Sequence, residues 1–252
     1  MTYLKVGTYN LLDGGLGDDD SRLRRQLDVL KEQCLDIVAL QEAKHWNQDG
    51  AKPFHLAQSV LGMRGYLAQS AHHGCHLVTL VGPRVRVIEE RHETGHPYWH
   101  GVNVLRTEID GKPVDLINAH LAPSVPEIRV QEARALRLLV GSRPVIACGD
   151  WNAAALEDDP RIAEDANPAR SELKTDRGPA QALLDAGLVD VGGYLHDLTP
   201  TVGHARAGSG VSYRADRIYT TDPEAASDHR LIAGDDSDHA LVMAGFGHVP
   251  RS

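Results

Sequence analysis

The stretch VIACGDWN, residues 145–152, decides the fold, because its apolar residues run directly into Gly149, Asp150, Trp151 and Asn152. A short apolar run bounded by turn-forming residues is typical of a buried strand. A carboxylate at the end of such a strand is costly to desolvate unless it is paired or binds a cation. The stretch therefore predicts a buried strand that delivers Asp150 and Asn152 to a polar site.

The same change from apolar to polar side chains recurs along the chain. Further apolar segments meet polar residues at Tyr9-Asn10, Leu40-Gln41-Glu42, Asn118-Ala119-His120 and Ser237-Asp238-His239, and one strand starts with Asp216-Arg217-Ile218-Tyr219. Each of these side chains would be expensive to bury alone, so we expect them to share one site.

The chemistry of these side chains indicates metal-assisted attack of water on phosphorus. Hard oxygen ligands, which suit Mg²⁺, Mn²⁺ or Ca²⁺ better than zinc, are offered by Glu42, Asp150, Asp216 and Asp238. Groups that titrate near neutrality and neutral amide donors are His120, His239, Asn10 and Asn152. A metal, a base and donors to the developing charge are what this reaction requires.

The rest of the chain predicts short strands with a few helices between them. The predicted helices are 21–34, 53–61, 128–140 and a short one at 179–186. The predicted strands are 4–10, 36–40, 76–81, 85–90, 102–109, 114–119, 144–148, 213–220, 230–233 and 240–246. This pattern is typical of a layered α/β protein with mixed sheets, and we expect one domain over 1–252 that ends in a short tail, 247–252.

Composition excludes several classes of protein. The 252 residues carry 26 Lys and Arg against 35 Asp and Glu, a net charge of -9, which argues against a protein that binds polyanions through a broad basic surface. The three cysteines have no CxxC spacing, and we expect them to be reduced. No signal-like N-terminus or 18-residue apolar run occurs, so we expect a cytoplasmic monomer without a membrane span.

Six motifs occur in the order typical of one family: TYN (8–10), LQE (40–42), NAHL (118–121), GDWN (149–152), ADRIY (215–219) and SDH (237–239). With them the chain resembles the endonuclease/exonuclease/phosphatase superfamily, the fold of DNase I-like nucleases, abasic-site endonucleases, neutral sphingomyelinases and inositol polyphosphate 5-phosphatases. The resemblance implies an α/β (α+β) fold, a four-layer αββα sandwich of two mixed, mostly antiparallel sheets with helices outside. It also implies Mg²⁺ as cofactor, with Mn²⁺ or Ca²⁺ as alternatives.

The resemblance implies a role for each motif residue. Glu42 is the implied principal metal ligand, with Asn10 and Asp238 beside it. Asp150 would orient or deprotonate the attacking water, and Asn152 would hold the phosphate. The implied acid-base pair is His239 with Asp216, while His120 would donate to the phosphate or to the leaving oxygen.

The sequence departs from the family pattern in one place, and it contains two short patterns that resemble functional motifs but that we do not assign to the site. Many relatives carry an acidic partner for His120 before the strand at 76–81, yet segment 70–75 here has no carboxylate. The HETGH pattern at 92–96 spells a zinc-protease motif, but Gly95 and Pro97 argue against the helix that motif needs. We interpret a first Ser-Asp-His triplet, 227–229, as part of a loop.

Acidic runs suggest the class of substrate. They lie at 18–20, 157–159 and 235–236, each close to a motif strand, so we expect a negative rim that repels a duplex over roughly 8 Å at physiological salt. The sequence therefore favours hydrolysis of a phosphodiester or phosphomonoester in a small molecule. The alternatives are a Mg²⁺-dependent DNA or RNA endonuclease or exonuclease and, less favoured, an inactive scaffold or binding module.

Overall fold

The computed structural model describes residues 3–17, 19–204 and 210–251. Its strands, in chain order, are β1 (Leu4–Asn10), β2 (Ile37–Gln41), β3 (Arg64–Ala68), β4 (Leu77–Val81), β5 (Val85–Glu93), β6 (Val102–Ile109), β7 (Lys112–His120), β8 (Val145–Asp150), β9 (Arg161–Ile162), β10 (Val189–Asp190), β11 (Val211–Ser212), β12 (Asp216–Thr220), β13 (Ala226–Ile232) and β14 (Leu241–Phe246). Its α-helices are α1 (Ser21–Glu32), α2 (Lys52–Leu61), α3 (Pro126–Leu136), α4 (Pro168–Thr175), α5 (Gly178–Asp185) and α6 (Val191–Tyr194).

The strands form two six-stranded sheets, with orders β13-β14-β1-β2-β4-β3 and β10-β12-β8-β7-β6-β5, and β9 pairs with β11 separately. Within the two large sheets, the described pairs β1–β2 and β7–β8 are parallel and the others are antiparallel. The prediction of two mixed, mostly antiparallel sheets is confirmed.

The period-two alternation of buried strands produces the layers. In β8, Ile146 and Cys148 face the core between the sheets, whereas Val145 and Ala147 pack in the cluster that contains α3 and α5. On the outer face of the first sheet, α1 and α2 pack against Val38 and Leu40 of β2. The order helix, sheet, sheet, helix confirms the predicted four-layer sandwich.

Motif residues outside the candidate site link strands both between and within the two sheets. Gln41 of β2 donates from Nε2 to Oδ1 of Asn118 on β7 at 2.8 Å, and the Nδ2 group of Asn118 donates to the carbonyl of Leu40 at 3.2 Å. Trp151 is fully buried and donates from Nε1 to the carbonyl of Arg217 at 3.1 Å. These bonds satisfy buried polar groups and fix the relative position of the strand ends.

The sequence pattern misses or misplaces a few elements. It does not predict β3, α4, α6 or the two-residue strands β9, β10 and β11, and it extends α1 and α3 a few residues beyond their ends at Glu32 and Leu136. The assignment of the first Ser-Asp-His triplet to a loop is wrong, because residues 227–229 lie in β13, where the Nδ1 atom of His229 lies 2.7 Å from Oδ2 of Asp197. His92 lies in strand β5, so the HETGH pattern lacks the helical spacing that a zinc-protease motif requires.

Gly149 provides a test of the sheet geometry. A Cβ there would lie 2.1 Å from the carbonyl oxygen of Ala119 on the parallel neighbour β7, and neither backbone can move without breaking the ladder. We expect Gly149→Ala to lower the free energy of unfolding by about 3 kcal/mol or more, measured by urea denaturation.

Gly141→Ala is the matched control for that substitution. Among the described residues, a Cβ at Gly141 would meet no heavy atom within 4 Å. A Gly149→Ala variant as stable as Gly141→Ala would show that β7 and β8 are not paired in this register.

Candidate active site

All eight predicted site residues lie at one end of the two sheets. Asn10, His120 and Asp150 are the last residues of β1, β7 and β8, and Asp216 is the first residue of β12. The register places Asp150 opposite His120 on one side and Asp216 on the other. The remaining four follow or precede strands in loops: Glu42, Asn152, Asp238 and His239.

Asp150 is the centre of the site. Its Oδ2 atom accepts a hydrogen bond from Asn10 Nδ2 at 3.0 Å and lies 3.3 Å from His120 Nε2 and 3.9 Å from His239 Nε2. Its Oδ1 atom accepts from the backbone N–H of Asn152 at 2.9 Å. Burial opposes ionisation, but the charges of His120, His239 and Lys174 outweigh it and hold the pKa of Asp150 below its usual value.

His239 and Asp216 form a buried pair. The Nδ1 atom of His239 lies 2.8 Å from Asp216 Oδ2, which also accepts from the hydroxyl of Thr201 at 2.7 Å. Burial disfavours the imidazolium, yet the nearby Asp216 and Asp150 carboxylates prevail and raise the pKa of His239 to about 10. Because Asp216 accepts from two donors, we assign the pair as carboxylate and imidazolium.

Glu42 and Asp238 present oxygen atoms suited to a cation. Glu42 has a φ of +54°, and its carboxylate accepts from Asn10 Nδ2 at 3.2 Å and from the backbone N–H of Asp13 at 3.0 Å. Oδ1 of Asp238 is buried and has no hydrogen-bond partner among the described residues. A carboxylate oxygen that accepts no hydrogen bond keeps its lone pairs for a cation, so Asp238 fits a metal ligand.

Two arrangements of ligands could hold an ion at this site. Asp150, Asp216 and the neutral form of His239 each offer one ligand atom, and these atoms lie within 4.8 Å of one another. The predicted set is Glu42, Asp238 and Asn10, although Asn10 turns its Nδ2 group to the carboxylates while its Oδ1 atom accepts from the backbone of Leu12. Both sets are rich in carboxylate oxygen, which fits a hard divalent cation.

Lys174 is a site residue that the sequence pattern misses. It lies on α4, and its Nζ atom donates to Oδ1 of Asn152 at 2.6 Å and to the carbonyl of Pro123 at 3.0 Å. Burial lowers the pKa of Lys174 to about 8, against the opposing charges of Asp150, Asp238 and Glu42. The Asn152 amide, whose Nδ2 group donates to the carbonyl of Leu121 at 3.1 Å, is thereby held at both ends.

His100 is a second buried neighbour of His120. The two rings stack with centroids 4.3 Å apart, and the Nδ1 atom of His100 lies 3.2 Å from the hydroxyl of Ser70. Burial, together with the charge of His120, lowers the pKa of His100 to about 2, so His100 is neutral at physiological pH. The stack orients His120 through ring contact, without adding the charge that a carboxylate would bring.

Glu132 holds the segments that carry this histidine stack. Its carboxylate accepts from the backbone N–H of Trp99 at 2.7 Å and from that of Ala122 at 2.8 Å. Burial raises the pKa of Glu132 to about 7, although these N–H groups and Arg129 oppose the shift. Glu132 therefore links Trp99, which precedes His100, to Ala122, two residues after His120.

The raised pKa of Glu132 predicts that the free energy of unfolding depends on pH. Because the folded-state pKa is raised from 4.5 to about 7, the contribution of Glu132 is fully present below pH 4.5 and is lost as pH rises to about 7. Relative to Glu132→Gln, we expect the wild type to lose about 3 kcal/mol of unfolding free energy across this window. Urea denaturation of both proteins at intervals from pH 4 to pH 8 measures the difference, which would be independent of pH if Glu132 titrated normally.

Sequence comparison identifies the family. The sequence model of the Endonuclease/Exonuclease/phosphatase family matches residues 7–239. The chain belongs to this family. It is therefore a metal-dependent hydrolase that acts on phosphate ester bonds. No curated protein sequence matches it.

Solved structures of the endonuclease/exonuclease/phosphatase family share its fold. TDP2 of D. rerio, complexed with a single strand DNA product, superimposes with a TM-score of 0.73 at 17% identity over 98% of this chain and 99% of that chain. An AP endonuclease from Archaeoglobus fulgidus gives a TM-score of 0.71 at 21% identity over 96% and 99%. A family protein from Bacteroides vulgatus gives a TM-score of 0.70 at 17% identity over 97% of this chain and 98% of that chain.

No helix in the described part of the chain is long and apolar enough to cross a membrane.

Proposed function

We propose that this enzyme uses Mg²⁺ to hydrolyse a phosphodiester or phosphomonoester bond in a small molecule rather than in long nucleic acid. The observation that carries the proposal is the convergence of Asn10, His120 and His239 on the buried Asp150. A carboxylate that acts as base or orients water must lie beside groups that bind and neutralise the phosphate, and here they surround it.

The site residues would have distinct roles in this reaction. Glu42 and Asp238, with Asn10, would hold the cation, which when bound neutralises phosphate oxygens and polarises the ester. Asp150, kept ionised by its neighbours, would accept a hydrogen bond from the attacking water and orient it. His239 would donate from Nε2 to a phosphate oxygen, since its Nδ1 atom already faces Asp216.

His120 and Asn152 complete this division of roles. In our proposal the second N–H of the Asn152 amide donates to the phosphate, because its first donates to Leu121. His120 Nε2 lies 3.3 Å from Asp150 Oδ2, and its Nδ1 atom has no hydrogen-bond partner among the described residues, so we assign it to donation toward the phosphate or the leaving oxygen.

Basic side chains near the site support the choice of a small substrate. Lys44 pairs with Asp13 at 2.6 Å, and Arg25 pairs with Asp236 at 2.7 Å. Arg22 donates to the carbonyls of Leu12 and Leu16, each at 2.7 Å. These cations are already bonded to the protein, so they do not form a free basic surface for a polyanion.

The acidic runs give weaker support than the sequence suggests. Asp158 is buried and pairs with Arg214 at 2.6 Å, so the expectation that all three runs line the rim is wrong for this residue. Asp20 pairs with Arg24 at 2.8 Å, and Asp18 lies outside the described residues. The bonded cations therefore support a small substrate more strongly than a negative rim does.

A substrate panel tests the proposal. Purified enzyme with Mg²⁺ is assayed on nucleotides, sugar phosphates, phospholipid head groups, oligonucleotides and supercoiled plasmid, with Glu42→Ala as the inactive control. We expect turnover of a small ester at a rate that varies little between 50 and 200 mM salt. Efficient nicking of plasmid with poor turnover of small esters, and a loss of roughly 10³-fold or more in affinity over that salt range, would establish a nuclease instead. The DNA product bound by the TDP2 neighbour makes this the alternative to test.

A further inference from the structure

Lys174 contributes the one ammonium group that contacts a predicted site residue in the described part of the chain. Two of its three N–H groups are used, by Oδ1 of Asn152 at 2.6 Å and by the carbonyl of Pro123 at 3.0 Å. Lysine carries three donors, so one N–H has no protein acceptor among the described residues. The charges of Asp150, Asp238 and Glu42 all act on this ammonium group, so it faces the same carboxylates that surround the reaction centre.

The protein fixes Lys174 at this place with a buried arginine. Arg129 of α3 is fully buried and donates from Nη1 to the carbonyl of Ala122 at 3.0 Å and from Nη2 to the carbonyl of Leu173. Arg129 thus ties the residue before Lys174 to the segment that follows His120. An ordered lysine beside Asn152 loses less side-chain entropy when it binds a ligand than a free surface lysine does.

We propose that Lys174 is a substrate-binding residue that contacts a terminal phosphate group and makes the site prefer phosphomonoesters to phosphodiesters. This inference rests on the proposed function, because it assumes that phosphate binds beside Asn152. Lys174 would supply an N–H to one non-bridging oxygen while Asn152 supplies its second amide N–H to another.

Charge balance gives the reason for the preference. Four carboxylates, Glu42, Asp150, Asp216 and Asp238, surround the centre, and a divalent cation would offset two of their charges. The Lys174 ammonium offsets one more, so it lowers the repulsion that a phosphomonoester, whose charge near neutral pH is about -1.5 to -2, meets at the site. A phosphodiester carries a single charge and therefore gains less from the additional cation.

The test compares charge-removing and charge-retaining variants: Lys174→Met, Lys174→Arg and, if the first fails to fold, Lys174→Gln. The probes are p-nitrophenyl phosphate, bis(p-nitrophenyl) phosphate and inorganic phosphate, all at pH 7 with saturating Mg²⁺. Lys5→Met is the matched control, because Lys5 Nζ also donates to a backbone carbonyl, that of Gln33 at 3.2 Å, near the opposite end of β1.

We expect Lys174→Met to bind inorganic phosphate about 10-fold more weakly, the effect of losing one charge-assisted hydrogen bond, with Lys174→Arg recovering most of it. The ratio of monoester to diester kcat/KM should fall by a similar factor, through KM more than kcat. Equal losses on both esters with unchanged phosphate binding would reduce Lys174 to a residue that positions Asn152 and would overturn the inference. If the wild type cleaves neither ester, the proposed function fails on these probes, while phosphate binding still decides the role of Lys174.

Discussion

Replacing Asp150 by asparagine is expected to lower kcat by at least about 10³-fold, because a positioned acid-base group contributes about 10²–10⁴-fold and here its charge is lost as well. Both carboxylate oxygens of Asp150 accept hydrogen bonds, from Asn10 Nδ2 and from the N–H of Asn152. An asparagine would turn its NH₂ group toward one of these donors. Steady-state kinetics on whichever ester the panel identifies measures the loss, and raising the Mg²⁺ concentration should not restore turnover.

Asp115→Asn is the matched control for loss of a buried carboxylate. Asp115 is 8% exposed and pairs with Arg143 at 2.6 Å, but it lies at the far part of β7, five residues before His120. We expect this control to retain activity, with thermal melting curves confirming that both variants are folded. If Asp150→Asn retained more than a tenth of wild-type kcat, Asp150 would neither activate nor orient the attacking water.

The site residues at strand ends could be predicted from the sequence. Burying a charged side chain costs free energy, and a charged residue beside a buried apolar run is visible in the sequence itself. A charged residue directly after a buried apolar run must be compensated, and this holds for Asp150 at the end of β8 and for Glu42 after β2. Once β7 and β8 pair in parallel, their last residues, His120 and Asp150, are brought side by side without further information. The layers follow equally from alternation within each strand.

Lys174 and His100 could not be found in this way, because their contacts depend on tertiary structure. Lys174 contacts Asn152 from α4, which Arg129 links to the segment after His120. A signal did exist for the helix itself, since Asn167 followed by Pro168 is a typical helix start and the Asn167 side chain caps α4. The signal for His100 was the hairpin formed by β6 and β7. Because Val102 pairs with Ala119, the residues just before β6 lie beside the residues at the end of β7.

Two elements that the pattern misassigned, β3 and the first part of β13, were missed for different local reasons. β3 carries Gly65 at its second position, where a Cβ would lie 2.6 Å from the ring of Phe54 on α2. Packing against the helix requires glycine there, and glycine weakens the strand signal. The triplet 227–229 is polar because β13 is an edge strand, where exposed polar side chains are common.

The metal-binding role of Glu42 leads to the second large effect. We expect Glu42→Gln to weaken Mg²⁺ binding at least about 100-fold, since even residues that only support a ligand cost 10–100-fold. Its carboxylate is held by Asn10 Nδ2 and the N–H of Asp13, and the left-handed backbone at Glu42 is retained in the variant. Isothermal titration of the metal-free protein with MgCl₂ measures the affinity without reference to any substrate.

The Mg²⁺ dependence of turnover distinguishes Glu42→Gln from Asp150→Asn. If Glu42 acts only through the cation, turnover lost in Glu42→Gln at low Mg²⁺ should return in part as the concentration is raised, because mass action fills the weakened site. Asp13→Asn is the control, since Asp13 is an exposed neighbour that pairs with Lys44 and contacts Glu42 through its backbone alone. Equal losses of Mg²⁺ affinity in Asp13→Asn and Glu42→Gln would mean that general negative charge attracts the cation, and the ion would then have to be placed on Asp150, Asp216 and His239 instead.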